Sequence, residues 1–84
     1  MPVAIEATPN PNALKYNVGT EVGPPRTFVA GRETDDPTAT ELLALDGVAS
    51  VFMSADFVTI SKLPDADWTV IAEEAKAILE RRFP

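Results

Sequence analysis

The 84-residue sequence contains no cysteine and no histidine. Without cysteine there can be no disulfide, no thiolate nucleophile and no thiolate metal ligand. Without histidine the commonest general base and the commonest transition-metal ligand are missing too. Zinc, haem and iron–sulfur sites built by this chain alone are therefore not expected, since the remaining carboxylates prefer harder cations. Positive charge is also scarce, with 7 Lys and Arg against 13 Asp and Glu and a net charge of −6. The one basic cluster is Arg81-Arg82. Such a surface repels phosphate backbones, so nucleic acid is not an expected partner. No apolar run approaches the ~20 residues of a membrane span, so no membrane partner is expected either. The opening stretch "MPVAIEATPN" has no basic n-region and no apolar h-region, which leaves the cytoplasm as the expected compartment.

What is present suits a small folded globule. Hydrophobic residues make up 45% of the chain, and 8 prolines and 4 glycines punctuate several short elements. A chain of this size buries roughly 60–65% of its unfolded surface, enough for one core, and 1–84 is read as a single domain. Val3, Ile5 and Ala7 alternate with Ala4 and Glu6, which predicts a strand with one buried face. Pro9 and Pro11 stop it, and Leu14, Tyr16 and Val18 alternate with Lys15 and Asn17 in a second strand. "GTEVGPPR" reads as a loop, and "TFVA" at Thr27 to Ala30 as a short extra edge strand.

A first helix is predicted in "TATELLAL". Thr38 and Glu41 have the spacing of a capping box, and Gly47 suits the left-handed position just past the helix end. "VASVFM" and "FVTISK" flank "SAD" and read as a hairpin. Val58 and Ile60 would face one side, and Phe57, Thr59 and Ser61 the other. From Trp68 to Phe83, apolar residues mark one helical stripe, with Asp65 or Asp67 as cap, acids early and arginines late. The expected fold is α+β, a two-layer sandwich of order ββ(β)αββα. A mostly antiparallel four-stranded sheet, with room for the short edge strand, would carry both helices on one face.

Candidate chemistry is sparse. "TPNPNALKY", from Thr8 to Tyr16, makes a stiff polar elbow between two strands. Proline fixes φ and asparagine satisfies its own backbone, so a turn alone explains it. It can also serve as a recognition loop, presenting the Asn10 and Asn12 amides with Lys15 beside them, because a rigid loop loses little entropy on binding. Lys15 and Lys62 keep a strand face soluble, or form a small cationic patch. Asp46 and Asp56 could pair for acid–base work, but each has an ordinary turn explanation. Phe57 on the open sheet face is either a cross-strand packing residue or a partner anchor. No catalytic residues are assigned, and an enzyme is not expected.

Two stretches together carry a resemblance. "TPNPNALKY" resembles the T-P-N-P-N-x-L-K-aromatic motif of the N-terminal domain of Nfu/NifU-type iron–sulfur scaffold proteins. "LLALDGVASVFMSADFVTISK" resembles that family's helix end, V-F strand, D-F turn and lysine-ended strand. Trp68 after Asp67 matches its D-W opening of the last helix. The chain departs at Met53-Ser54-Ala55, where the family often shows aromatic-Gly-Pro, so Ser54 is expected to take the place of a turn glycine. It also lacks the C-x-x-C of the family's cluster-binding domain. The resemblance thus implies a stand-alone domain that docks an iron–sulfur scaffold, carrier or apo-client protein without ligating the cluster and without a cofactor of its own. The residues expected at that surface are Asn10, Asn12, Lys15, Tyr16, Asp56 and Phe57. The alternative is a general peptide- or small-ligand-binding module with no iron–sulfur link, for instance through strand addition at a free edge.

Overall fold

The structure, a computed structural model, describes residues 3–83. Five strands form one sheet: β1 (Ala4–Ala7), β2 (Ala13–Asn17), β3 (Gly23–Val29), β4 (Val48–Ala55) and β5 (Phe57–Lys62). The spatial order is β1-β2-β5-β4-β3, and every neighbouring pair is antiparallel. Helix α1 (Pro37–Leu43) lies between β3 and β4 in the chain, and α2 (Trp68–Arg82) follows β5. The expected α+β order is therefore observed, with the edge strand present and longer than expected.

Strand periodicity decides which face becomes the core. Tyr16 sits opposite Val58, and Val58 opposite Met53. Leu14, Ile60, Val51 and Phe28 make the next cross-strand row. These rows meet Leu42 of α1 and Ile71, Ala75, Ile78 and Leu79 of α2. Tyr16, Leu42, Met53, Ile60 and Leu79 are fully buried, and burial of such a side chain is worth about 1.5–3 kcal/mol.

The edges depart from expectation. All four β1 residues are exposed, and Ile5 keeps 40% of its surface although it pairs with the core residue Tyr16. The helical layer does not seal the sheet that far out, and only the preceding Val3 is buried. At the other edge, the Gly-Pro-Pro-Arg stretch read as loop belongs to β3. Proline cannot donate to a ladder, so Pro24 and Pro25 require an edge, and the register shifts between Gly23 and Arg26.

The helix ends also depart. Asp36, not Thr38, caps α1, accepting from the Thr38 and Ala39 amides at 2.9 and 3.0 Å. Pro37 takes the first helical position, where its missing N–H costs nothing, and Thr38 is buried inside the first turn. Glu41 is then too far along the helix to reach back to the cap. It instead binds Arg81 at 2.6 Å and Arg82 at 2.9 Å, tying α1 to the end of α2. These two guanidiniums hold its carboxyl below the usual range. Asp67 caps α2, accepting from the Thr69 amide at 2.8 Å, and Arg81 and Arg82 fill its last turn, but its first turn holds no acid.

Of the positive-φ positions, Gly47 and Ala55 owe their conformation to different causes. Helix α1 caps at Ala44, so Gly47 is not its C-terminal glycine. With φ of 95° it passes so close to the turn before α2 that an added Cβ would lie 2.7 Å from the Ala66 Cβ and 3.0 Å from Ile71 Cδ1 of the helix. In the hairpin, Ser54 pairs with Phe57 and belongs to the ladder, leaving Ala55 and Asp56 as the turn. The left-handed residue is Ala55, with φ of 50°, and not Ser54. A left-handed non-glycine residue costs roughly 1–2 kcal/mol. Ala55→Gly should therefore raise stability by up to about 1 kcal/mol after the entropic penalty of glycine is subtracted. Gly47→Ala should lower it by at least about 2 kcal/mol, since it adds a clash to the same backbone strain. Urea denaturation of the two variants against the parent checks both signs.

Candidate functional surface

The elbow from Thr8 to Asn12 is held from within and from below. The Thr8 hydroxyl lies 2.9 Å from the carbonyls of Asn10 and Ala13 and accepts from the Asn10 amide at 3.2 Å. Asn10 Oδ1 accepts from the Asn12 amide at 2.9 Å. Asn12 Oδ1 accepts from Lys62 Nζ at 3.0 Å, and the Asn12 carbonyl accepts from the Lys62 amide at 2.8 Å. The Trp68 indole N–H donates to the Pro11 carbonyl at 3.0 Å, and Lys62 Nζ stands 5.9 Å over the same indole ring. Both asparagine side-chain oxygens are thus spent on the fold. The ring of Trp68 packs against the core with its N–H at the helix entrance, joining the elbow to α2.

The uncovered face of the sheet is different in character. Lys15, Thr59, Phe52 and Thr27 form one cross-strand row on it, and Asn17, Phe57 and Ser54 form the next. Phe52 and Phe57 have ring centroids 6.1 Å apart, a diagonal aromatic pair. Lys15 Nζ lies 4.7 Å from the Phe57 centroid, within cation–π range. Both phenylalanines are only half-buried, since no helix lies over them. The Asn17 amide donates to the Glu6 carboxylate beside them. A half-covered aromatic pair with a cation over it can seat an apolar side chain and a carboxylate together.

The six residues expected at a partner surface do not form one site. Lys15 and Phe57 come together on the open face. Asp56 is exposed at the adjoining turn. Asn10 and Asn12 sit at the opposite end of β2, by Lys62. Tyr16 must be removed from the set, because it points to the helix side and is fully buried. Its hydroxyl donates to the Ala72 carbonyl at 3.3 Å. Burial pushes the phenol up to about 12, with Glu73 adding to the effect. The reason is strand parity: if Lys15 faces solvent, its neighbour cannot. Asp46 and Asp56 do not pair, since they flank the two ends of β4, a span of roughly 25 Å for its eight residues. None of three surface grooves gathers lysine, serine and aspartate together.

Sequence reading missed Phe52. The signal was available in the hairpin: with a two-residue turn, Phe52 and Phe57 necessarily share a face. It also missed the Trp68 contact to Pro11, for which no local signal exists.

Comparison with known proteins fits this architecture. Residues 3–84 match the family model described as scaffold protein Nfu/NifU N terminal. A NifU-like protein of Schizosaccharomyces pombe is 37% identical over 79 residues, covering 88% of this chain and 30% of that protein. The mitochondrial NFU1 iron-sulfur cluster scaffold homolog of Drosophila ananassae is 39% identical over 81 residues, covering 92% of this chain and 28% of the relative. The chain thus spans under a third of the length of these relatives. The crystal structure of SAV1430 from Staphylococcus aureus superposes with a TM-score of 0.81 at 26% identity, covering 93% of this chain and 98% of that one.

Trp68→Phe should cost about 1 kcal/mol by removing the indole donor, and its amide shifts should concentrate at Asn10 to Asn12. Shifts spread over the whole sheet would show that the indole supports the core instead. The Tyr16 phenol gives a pH dependence of known sign. Unfolded, it ionises near its ordinary 10.0; folded, it keeps its proton to about 12. Stability is therefore full below pH 10 and is lost as pH rises toward 12. Urea midpoints across that window should fall more steeply for the parent than for Tyr16→Phe.

Proposed function

The chain belongs to the Nfu/NifU N-terminal family, and from that premise we propose that it is a docking domain for iron–sulfur cluster assembly or delivery. It engages a cluster-carrying scaffold, a carrier or an apo-client and does not itself hold the cluster. The donor set supports the second half of this reading. Clusters are bound by cysteine thiolates, with histidine in some centres, and the sequence has neither residue. The cluster is the partner's cargo, and no chemistry is routed through residues of this chain.

One observation carries the choice of surface. The sheet face away from the helices leaves Phe52 and Phe57 half-covered, with Lys15 over the Phe57 ring. Aromatic anchors that stay partly hydrated in the free protein gain most when a partner removes the remaining water. The elbow, whose side-chain oxygens are already bonded, serves as the rigid border of that face. A second reading has its own basis. The outer edge of β1 is exposed along Ala4 to Ala7, and an extended peptide could add there as a strand.

An anaerobic NMR titration of labelled protein with apo and cluster-loaded forms of a C-x-x-C Nfu-type domain tests the proposal. Shifts should centre on Lys15, Phe52, Phe57 and Thr59, and Lys15→Glu should weaken them by roughly three- to tenfold, while leaving the fold unchanged. Shifts confined to Ala4 to Ala7 would favour strand addition. A stoichiometric iron–sulfur chromophore on the purified chain alone would overturn the non-ligating role.

A further inference from the structure

A second surface lies on the helical side, at the entrance of α2. Among the described residues four large hydrophobic side chains are exposed, and two of them, Leu63 at 47% and Val70 at 57%, line one groove of about 370 Å³. Gly47, Ala66 and Ile71 complete its apolar part. This part is rigid, because Gly47 packs so tightly on Ala66 that no Cβ fits between them. Water over two exposed aliphatic groups in a concave, rigid setting is readily displaced by an apolar side chain.

The rim states what chemistry the occupant carries. Asp46, Asp65 and Asp67 line the same groove. Among the described residues the ion pairs are Arg26–Asp36, Arg81–Glu41 and Arg82–Glu41, so none of the three rim carboxylates is neutralised by one. Hydrogen bonds from Thr69, and after them the charge of Lys62, hold the Asp67 carboxyl below its usual range, while Lys62 directs its Nζ to Asn12 Oδ1 and the Leu63 and Pro64 carbonyls. Glu73 and Glu74 follow Val70 by one helical turn and are exposed.

Other occupants are disfavoured by the same residues. Among the described residues no three carboxylates converge to hold a metal ion. Anionic lipid headgroups would be repelled. A second copy brings its own net charge of −6, and its adjacent arginines Arg81 and Arg82 are held by Glu41.

We infer that this groove seats a basic segment of a partner protein, with one aliphatic side chain between Leu63 and Val70 and flanking lysine or arginine against Asp46 and Asp65. The surface is distinct from the aromatic sheet face, so the domain can hold two partners, or two parts of one, at once.

Calorimetry and amide NMR on the full chain with short synthetic peptides test this. A peptide alternating leucine with arginine should bind with shifts at Asp46, Gly47, Ala66 and Val70, and weaken as salt rises. A double variant, Leu63→Ser with Val70→Ser, leaves net charge unchanged and alters only exposed side chains. It should weaken that binding at least about tenfold. Asp46→Asn with Asp65→Asn should weaken it comparably and flatten the salt dependence. An arginine-only peptide of equal charge should bind more weakly, with shifts scattered over the acidic surface. Equal affinity of the two peptides, or indifference to the serine variant, would overturn the proposal in favour of charge attraction alone. Shifts at the sheet face instead of the groove, or self-association abolished by the serine variant, would also overturn it.

Discussion

The antiparallel register joining β2, β5 and β4 is the constraint on which the rest depends. Tyr16, Val58 and Met53 stand in one line across three strands, and Lys15, Thr59 and Phe52 in the adjacent line. A slip of one residue would send the first line to solvent and the second into the core. The same parity that buries Tyr16 exposes Lys15, and the two-residue turn at Ala55 and Asp56 places Phe52 and Phe57 together. Core and candidate docking face are two sides of one pairing, so neither can drift without the other.

The two hairpins are locked by a contact that neither contains. The elbow of the first hairpin is bonded to Lys62, the last residue of the second, and to Trp68, the first residue of α2. This puts polar groups that would otherwise face water into structural use. It also explains why the Pro-Asn-Pro-Asn stretch is stiff: its direction is fixed by proline and its ends by bonds to distant parts of the chain.

Charge is distributed with economy. Arg26, Arg81 and Arg82 are committed to carboxylates, Lys62 to the elbow and Lys15 to an aromatic ring. The acids outnumber them and leave a negative helical side, where Leu63 and Val70 interrupt the charge with apolar surface. The sheet side carries the aromatic pair with its cation. The two faces thus offer different chemistries.

Some of this was legible in the residues alone. Alternation in β2, β4 and β5, the helical stripe of α2 and the absence of cluster ligands are local properties, and period and composition report them directly. Local signals failed where distant neighbours decided. Ile5 alternates correctly but lies beyond the helical layer, and Pro24 and Pro25 resemble a loop until an edge position makes them tolerable. Thr38 and Glu41 have capping-box spacing, yet Pro37 and the two arginines claimed the helix start and the glutamate. Tyr16 was placed at the surface by its motif and in the core by its parity. Residue order determined most of the elements and which metal-ligating residue types the chain lacks. Only the tertiary structure decided which faces are covered, because burial is a property of the neighbours that cover a residue and not of the residue itself.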